Sequence, residues 1–172
     1  METFRTNPQY PDCEFGDHGT IRMIETQRVR PAHRAAQGQY LVVRCRDTAG
    51  ELKRNYVHRF ICETYHPNPN NCKCIDHIDG DNTNNRADNL RWCTAAQNTW
   101  NSKVSTRNTS GYKGVSWSKA GKSWHAHITI NNHFRSIGYY KDKRDAVVAR
   151  RAVAHILMGE FVAANERGTL LL

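Results

Sequence analysis

The segment from Ile75 to Asn98, IDHIDGDNTNNRADNLRWCTAAQN, constrains the fold more than any other part of the chain. Ile75 and Ile78 stand ahead of a polar run, Leu90 and Trp92 stand behind it, and Asp79 to Asp88 between them carry no large apolar side chain. Apolar positions at alternate spacing, bounded by Gly, Asp and Asn, predict two strands, 74–78 and 89–93, joined by a polar loop. Thr94 is a fitting N-cap, so a short helix is expected over 95–101.

The flanks organise around this segment. Residues 1–12, METFRTNPQYPD, are polar with two prolines and are expected to form a flexible arm. From Gly19 to Leu52 the apolar pieces IRMI and YLVVRC alternate with basic and Gly-containing turns, which predicts a small antiparallel sheet. Val57, Phe60, Ile61 and Tyr65 recur at helical spacing, and Pro67 and Pro69 stop that helix. NSKVSTRNTSG has linker composition and places a boundary near residue 107. Beyond it, GYKGVSWSK, KSWHAHITI and HFRSIGYY predict three strands, the last two joined at Asn131-Asn132, where positive φ is tolerated. Asp142 is expected to cap a helix over 143–158 that Gly159 closes. The expected domains are the arm 1–12, a unit 13–107 and a unit 108–172, all of class α+β.

A chain of 172 residues with 25 Lys and Arg against 16 Asp and Glu, formally +9, is drawn to polyanions. From Asn108 onward ten basic residues face four acidic ones, a net +6, which leaves +3 for the first 107. No apolar run approaches the ~20 residues of a membrane helix, so no membrane partner is expected. Six cysteines without a leader-like N-terminus are read as reduced, cytoplasmic thiols.

Phosphodiester hydrolysis needs a cation at the scissile phosphate and a base to activate water. Asp76 and His77, adjacent on a strand, can supply a cation ligand and a base from different directions. An imidazole with a pKa near ~6.5 is largely neutral at pH 7. Its other ring nitrogen needs an acceptor, which the amide oxygen of Asn89 would provide, and Asn98 would give the cation a second oxygen. Asp79, Asp81, Asn84 and Asn85 are read as turn formers. DGDNTNN lacks the closing Glu and flanking helices of a calcium-binding EF-hand loop. His58 and Arg59 suit either a phosphate-facing role or helix packing, and Arg91 either the scissile phosphate or solvent.

DHIDGDNTNNRADNLRWCTAAQN with VHRF upstream resembles the H-N-H motif of phage and intron-encoded homing endonucleases, over roughly residues 56–101. The resemblance implies a core of two strands and a helix around one metal, with Asp76 and Asn98 as ligands, His77 as general base and Asn89 orienting it. Many H-N-H enzymes carry a further histidine in the helix where Asn98 stands here, which points to Mg²⁺ or Mn²⁺ at the catalytic site. Some carry a structural zinc. Cys72, Cys74 and Cys93 bracket the motif but lack a clear fourth ligand, so small buried thiols are the default reading.

In the C-terminal unit, Trp124, Ala126, Ile128 and Ile130 alternate with His125, His127 and Thr129. The polar face, with Lys113, Ser116, Ser118, Lys119, Lys122 and Arg135 nearby, is expected to contact DNA, while Trp117 and Trp124 are expected in the core. Residues 108–165 resemble the plant ethylene-response-factor-type (apetala-type) DNA-binding domain, which also occurs fused to H-N-H nucleases in phages. Ser116, Ser118, Thr129 and Ser136 replace several base-reading arginines of the plant pattern. The expected function is site-selective cleavage of double-stranded DNA by a monomer, nicking one strand to leave a 5′-phosphate and a 3′-hydroxyl. A phage-encoded chain of this kind would act in the host cytoplasm. The alternatives are a non-catalytic DNA-binding regulator and a restriction or repair nuclease of low specificity.

Overall fold

The computed structural model describes residues 1–36 and 39–167, and among these described residues eleven strands and three α-helices follow one another. Contacts divide the chain into Met1–Thr94 and Ala95–Leu172. The class is α+β, with small antiparallel sheets and few helices, none of the described ones long and apolar enough to cross a membrane.

The first unit opens with β1 (Phe4–Thr6), β2 (Cys13–Gly16) and β3 (Ile21–Met23), a sheet in sequence order. The expected arm is therefore a paired strand, with Arg5 opposite Phe15. The polar composition of residues 1–12 concealed this because the pairing uses backbone groups, and Asn7 is buried where its side chain donates to the Thr64 hydroxyl, 3.2 Å away. A second sheet follows, β4 (His33–Arg34), β5 (Leu41–Arg46) and β6 (Leu52–Tyr56). The single sheet expected over 19–52 is thus two. IRMI pairs backwards with β2 and YLVVRC forwards with β6.

Helix α1 (Val57–Tyr65) buries Val57, Phe60, Ile61 and Cys62, the stripe its spacing dictates. It ends because His66, ahead of Pro67, is extended at φ −121°, as the proline ring requires of its predecessor. Phe60 stacks on Phe15 at 5.6 Å, and the core extends through Cys13, Ile21, Val43 and Cys45 to Ile75 and Leu90. Ile75 and Leu90 belong to β7 (Cys74–His77) and β8 (Leu90–Cys93), an antiparallel pair that follows the predicted strands to within a residue. Each fully buried Phe or Leu contributes about 1.5–3 kcal/mol, so the apolar residues that frame the polar loop anchor it to the core of this unit.

The second unit begins with α2 (Ala95–Asn101). Trp100 packs against the cluster of Ile128, Ala154, Met158 and Val162. That contact moves the division to Thr94, ahead of the boundary expected near 107: composition marks a linker, but an apolar side chain before it decides where the helix belongs. Strands β9 (Val115–Ser118), β10 (Ser123–Ile130) and β11 (His133–Tyr140) form the predicted sheet. Asn131 and Asn132 both take positive φ at its hairpin, 49° and 63°. Gly114 has φ 63°, and a Cβ there would lie 2.2 Å from the His127 carbonyl oxygen, so only glycine fits. Helix α3 (Lys143–Met158) starts where Asp142 Oδ1 accepts from Arg144 N at 2.6 Å and covers one face of the sheet through Ala146, Val147 and Ala154.

Candidate active site

Strand β7 delivers Asp76 and His77 into the protein, 3% and 4% exposed. The strand register sets Asp76 opposite Arg91 and His77 opposite Leu90. Asp76 Oδ2 accepts from Arg91 Nε at 2.9 Å and from Nη2 at 2.6 Å. Arg91 is therefore neither solvated nor directed at a phosphate. It neutralises the carboxylate expected to hold the metal, because cross-strand neighbours on a buried face must pair their charges.

His77 sits in an aromatic setting, with the Tyr40 ring 5.9 Å away and the His58 ring edge-on at 5.1 Å. Burial pushes its pKa below the ordinary value, against the Asn85 hydrogen bond and the charges of Asp79, Asp76 and Asp81. The imidazole is thus neutral at pH 7. His58 is held down to about 3 by burial first, then by His77 and Arg59, and its Nδ1 is buried without a hydrogen-bond partner.

His77 Nε2 lies 3.3 Å from Asn85 Oδ1. Asn85, which the sequence marks as a turn former, takes the place expected for Asn89. With Nε2 donating to the amide oxygen, Nδ1 carries the lone pair. Asn89 instead staples the loop: its Oδ1 accepts from Asp79 N at 3.0 Å, and its Nδ2 donates to Asp79 Oδ1 at 3.0 Å and to the Asn84 carbonyl at 2.9 Å. Asn84 Nδ2 donates to Asp79 Oδ2 at 2.6 Å. Burial works to raise the Asp79 pKa but is outweighed by the Asp81, Asn84 and Asn89 donors, leaving it below the ordinary value. Amide and carboxylate can exchange partners in a turn of this composition, so residue type alone could not select between Asn85 and Asn89.

Asn98 is exposed on α2, in the second unit. Arg59 Nη2 donates to the Lys73 carbonyl at 3.0 Å, so helix packing and loop bracing account for it. Among the described residues no group of three His, Cys, Asp or Glu is placed to hold a metal ion, Cys72, Cys74 and Cys93 included. Cys74 and Cys93 are register partners, and burial raises the Cys93 thiol to about 12, which disfavours the thiolate that zinc needs.

In the second unit Ser116, His125 and Tyr139 share one face of the sheet, followed by His127 with Ser136 and Thr129 with Phe134. His125 stacks on Tyr139 at 4.4 Å and donates to or accepts from Ser136 Oγ at 2.9 Å, and His127 stacks on Phe134 at 5.1 Å. Phe134 and Tyr139 are 61% and 63% exposed, an aromatic content of this face that the His and Ser alternation did not signal. Ser118, Lys119 and Lys122 lie beside it at the β9–β10 end. Two expected contacts fall elsewhere. Lys113 Nζ donates to the Trp100 carbonyl at 2.9 Å and to Ser102 Oγ at 3.2 Å, and burial lowers its pKa. Arg135 pairs with Ile128 in the register set by the Asn131-Asn132 hairpin, so it stands on the face α3 covers, at the exposed edge. Trp117, expected in the core, is 46% exposed because β9 is an edge strand. Trp124 packs against the cluster of Val115 and Ala146 as expected.

A strand pair that buries Asp76 and His77 in one unit and a three-stranded sheet with a polar and aromatic outer face in the other define the class of architecture. Residues 55–99 match the family model described as HNH endonuclease. The chain is similar in fold to the solved HNH homing endonuclease I-HmuI, with TM-score 0.51 and 19% identity over 92% of this chain and 91% of that one. Protein 3.8 of Escherichia phage T7 is 46% identical over 65 residues, 36% of this chain and 54% of the relative. An uncharacterized HNH endonuclease, L247, of Acanthamoeba polyphaga mimivirus is 32% identical over 82 residues, 46% of this chain and 20% of the relative. The chain thus spans about half or less of the length of these curated relatives.

Proposed function

We propose that this chain is a metal-dependent DNA endonuclease of homing type in which His77 is the general base. The observation that carries the reading is the buried, neutral His77 beside Asp76 inside the segment that matches the HNH endonuclease family. Asp76 is the carboxylate that would hold a hard cation while it also pairs with the Arg91 guanidinium 2.6 Å away. The sequence resemblance implies Asn98 as a second oxygen ligand, and Mg²⁺ or Mn²⁺ suits oxygen donors of this kind. When bound, the metal supplies charge neutralisation at the scissile phosphate and the leaving 3′-oxygen.

The chain's own residues do the rest. His77 Nδ1 takes a proton from the attacking water as the new oxygen–phosphorus bond forms and the bond to the 3′-oxygen breaks. The 3′-oxygen acquires a proton from solvent, leaving a 3′-hydroxyl and a 5′-phosphate. Asn85 holds the ring through Nε2, and Asn89 fixes the loop that carries Asn85. The second unit's sheet selects the site on double-stranded DNA, and a chain with one such centre acts as a monomer nicking one strand.

The test is supercoiled plasmid incubated with Mg²⁺, with and without EDTA, beside a His77→Ala variant. Nicked circles with Mg²⁺ alone and a loss of about 10²–10⁴-fold in the variant are expected for a general base. Equal activity of variant and parent overturns the role of His77, and no cleavage in any divalent metal overturns the nuclease reading.

A further inference from the structure

The first unit is nearly neutral, with thirteen basic and twelve acidic residues in Met1–Thr94, yet seven of those basic residues fall between Arg28 and Arg54. The only acids in that span, Asp47 and Glu51, are taken up by Lys53. A cavity of about 550 Å³ opens on the β4–β5–β6 sheet, lined by Arg30, His33, Arg34, Arg44 and Arg54 around Val42. Among the described residues no acidic side chain pairs with Arg34, Arg44 or Arg54, and Arg30 Nε is buried without a hydrogen-bond partner.

The strand register makes this arrangement costly in isolation. Arg44 stands directly opposite Arg54, and like charges facing across an antiparallel pair destabilise the sheet. The conflict is relieved by an anion bridging the two guanidiniums, whose planar forks match phosphate oxygens bidentately. A second cavity, of about 520 Å³, shares Val42 and Arg54 with the first and is walled by Tyr40 and Tyr56. Tyr56 stacks on His58 at 5.2 Å, and Tyr40 lies against both His58 and His77. The basic groove therefore continues along the sheet to the aromatic wall behind which His77 sits.

We propose that the β4–β5–β6 sheet is a docking track for the sugar-phosphate backbone of duplex DNA, leading to His77 and built into the nuclease unit itself. A run of guanidiniums along an open groove suits a repeating polyanion better than one small anion, because each cation can meet a different phosphate. The choice of DNA rests on the nuclease reading; the groove's affinity for phosphate rests on its own geometry.

The experiment is binding of the full chain to a labelled duplex oligonucleotide by fluorescence anisotropy in EDTA, across a salt series, for the parent and Arg44→Gln/Arg54→Gln. The double variant is expected to bind at least tenfold more weakly, with a salt slope smaller by about 2, since each lost phosphate contact removes ~0.9. Its melting temperature is expected to equal or exceed the parent's, because an opposed like-charge pair is gone. Arg44→Lys/Arg54→Lys is expected to keep the salt slope. Unchanged affinity and slope in the Gln variant, or a lowered melting temperature with them, overturns the track and leaves these arginines structural. Loss of poly-glutamate binding without loss of duplex binding assigns the groove to an acidic protein and overturns the DNA reading. Because EDTA removes cleavage from the assay, a chain that never cuts still reports on the groove, and the two readings fail separately.

Discussion

The β7–β8 pair of the first unit and the β9–β10–β11 sheet of the second treat polar side chains in opposite ways. Around β7 and β8 polar groups are turned inward and paired, Asp76 with Arg91, His77 with Asn85, and Asn89 with Asp79 and Asn84. On the β9–β10–β11 sheet the polar and aromatic groups stand outward, stacked in pairs over a covered apolar face. A buried network is held to one geometry because every broken partner leaves an uncompensated group, which suits chemistry. An outward face costs little to alter, which suits recognition. Substitutions in the network around β7 and β8 should therefore disturb stability, and those on the outer face of the second unit should disturb binding alone.

The sharpest way to break that contrast is Arg91→Ala. Removing one partner of a buried ion pair costs about 3–5 kcal/mol, so urea unfolding in EDTA should show a loss of that size. Asp76→Asn/Arg91→Ala should recover part of it, since no charge then remains unpaired. A loss under 1 kcal/mol would place Asp76 in a wetter setting than its burial describes.

Acid sharpens the contrast next. His58 titrates near 3 when folded and near ~6.5 when unfolded, so the unfolded chain takes up the proton first. Stability is complete above pH 6.5 and falls as pH drops from about 6.5 to about 3, by up to about 1.4 kcal/mol per unit. His77, also depressed, adds in the upper part of that window. A His58→Phe variant should flatten the slope in chemical-denaturation profiles. A parent whose stability is level from pH 7 to 4 would contradict the burial of both rings.

The smallest effect on stability belongs to the outer face. Phe134→Ala/Tyr139→Ala should change unfolding free energy by no more than about 0.5 kcal/mol per site, as exposed positions do, while duplex binding weakens. If thermal unfolding moves as far as it does for Arg91→Ala, the face is packed against something and the contrast fails.

Much of this architecture was legible in the sequence. β7, β8, α2, β10, β11 and α3 fall within a residue or two of their predicted limits, because alternation, Asn-Asn at a hairpin and Asp and Gly at helix ends are local signals, while β9 starts four residues into its predicted segment, after Gly111 and Gly114 at positive φ. β1 escaped because its pairing is made by backbone atoms, to which side-chain polarity is blind. The site was legible as a set of residues but not as a set of bonds. Asp76 and His77 lie where alternation put them, yet Asn85 and Asn89 differ only in which donor each meets after the loop closes. Arg91 could be assigned to Asp76 only once the register of two strands fifteen residues apart was fixed. Lys113 was misread because its long chain reaches back to α2, a contact that its exposed-looking neighbours do not announce.

The bulge in β11 has a further consequence. It gives this strand two phases: Tyr139 and Tyr140 follow one alternation, and Phe134 to Ser136 follow the other, with Ile137 as the extra residue between them. Ile137 packs against both apolar clusters of the unit, so the same insertion that resets the count also joins them. Deleting that one residue would make the ladder continuous, with Phe134, Arg135 and Ser136 still opposite Thr129, Ile128 and His127, and would remove the side chain that links the two clusters. The bulge thus lets β11 keep its outward groups in register with the histidines of β10 while sending one extra side chain under the sheet to tie two apolar clusters into one core.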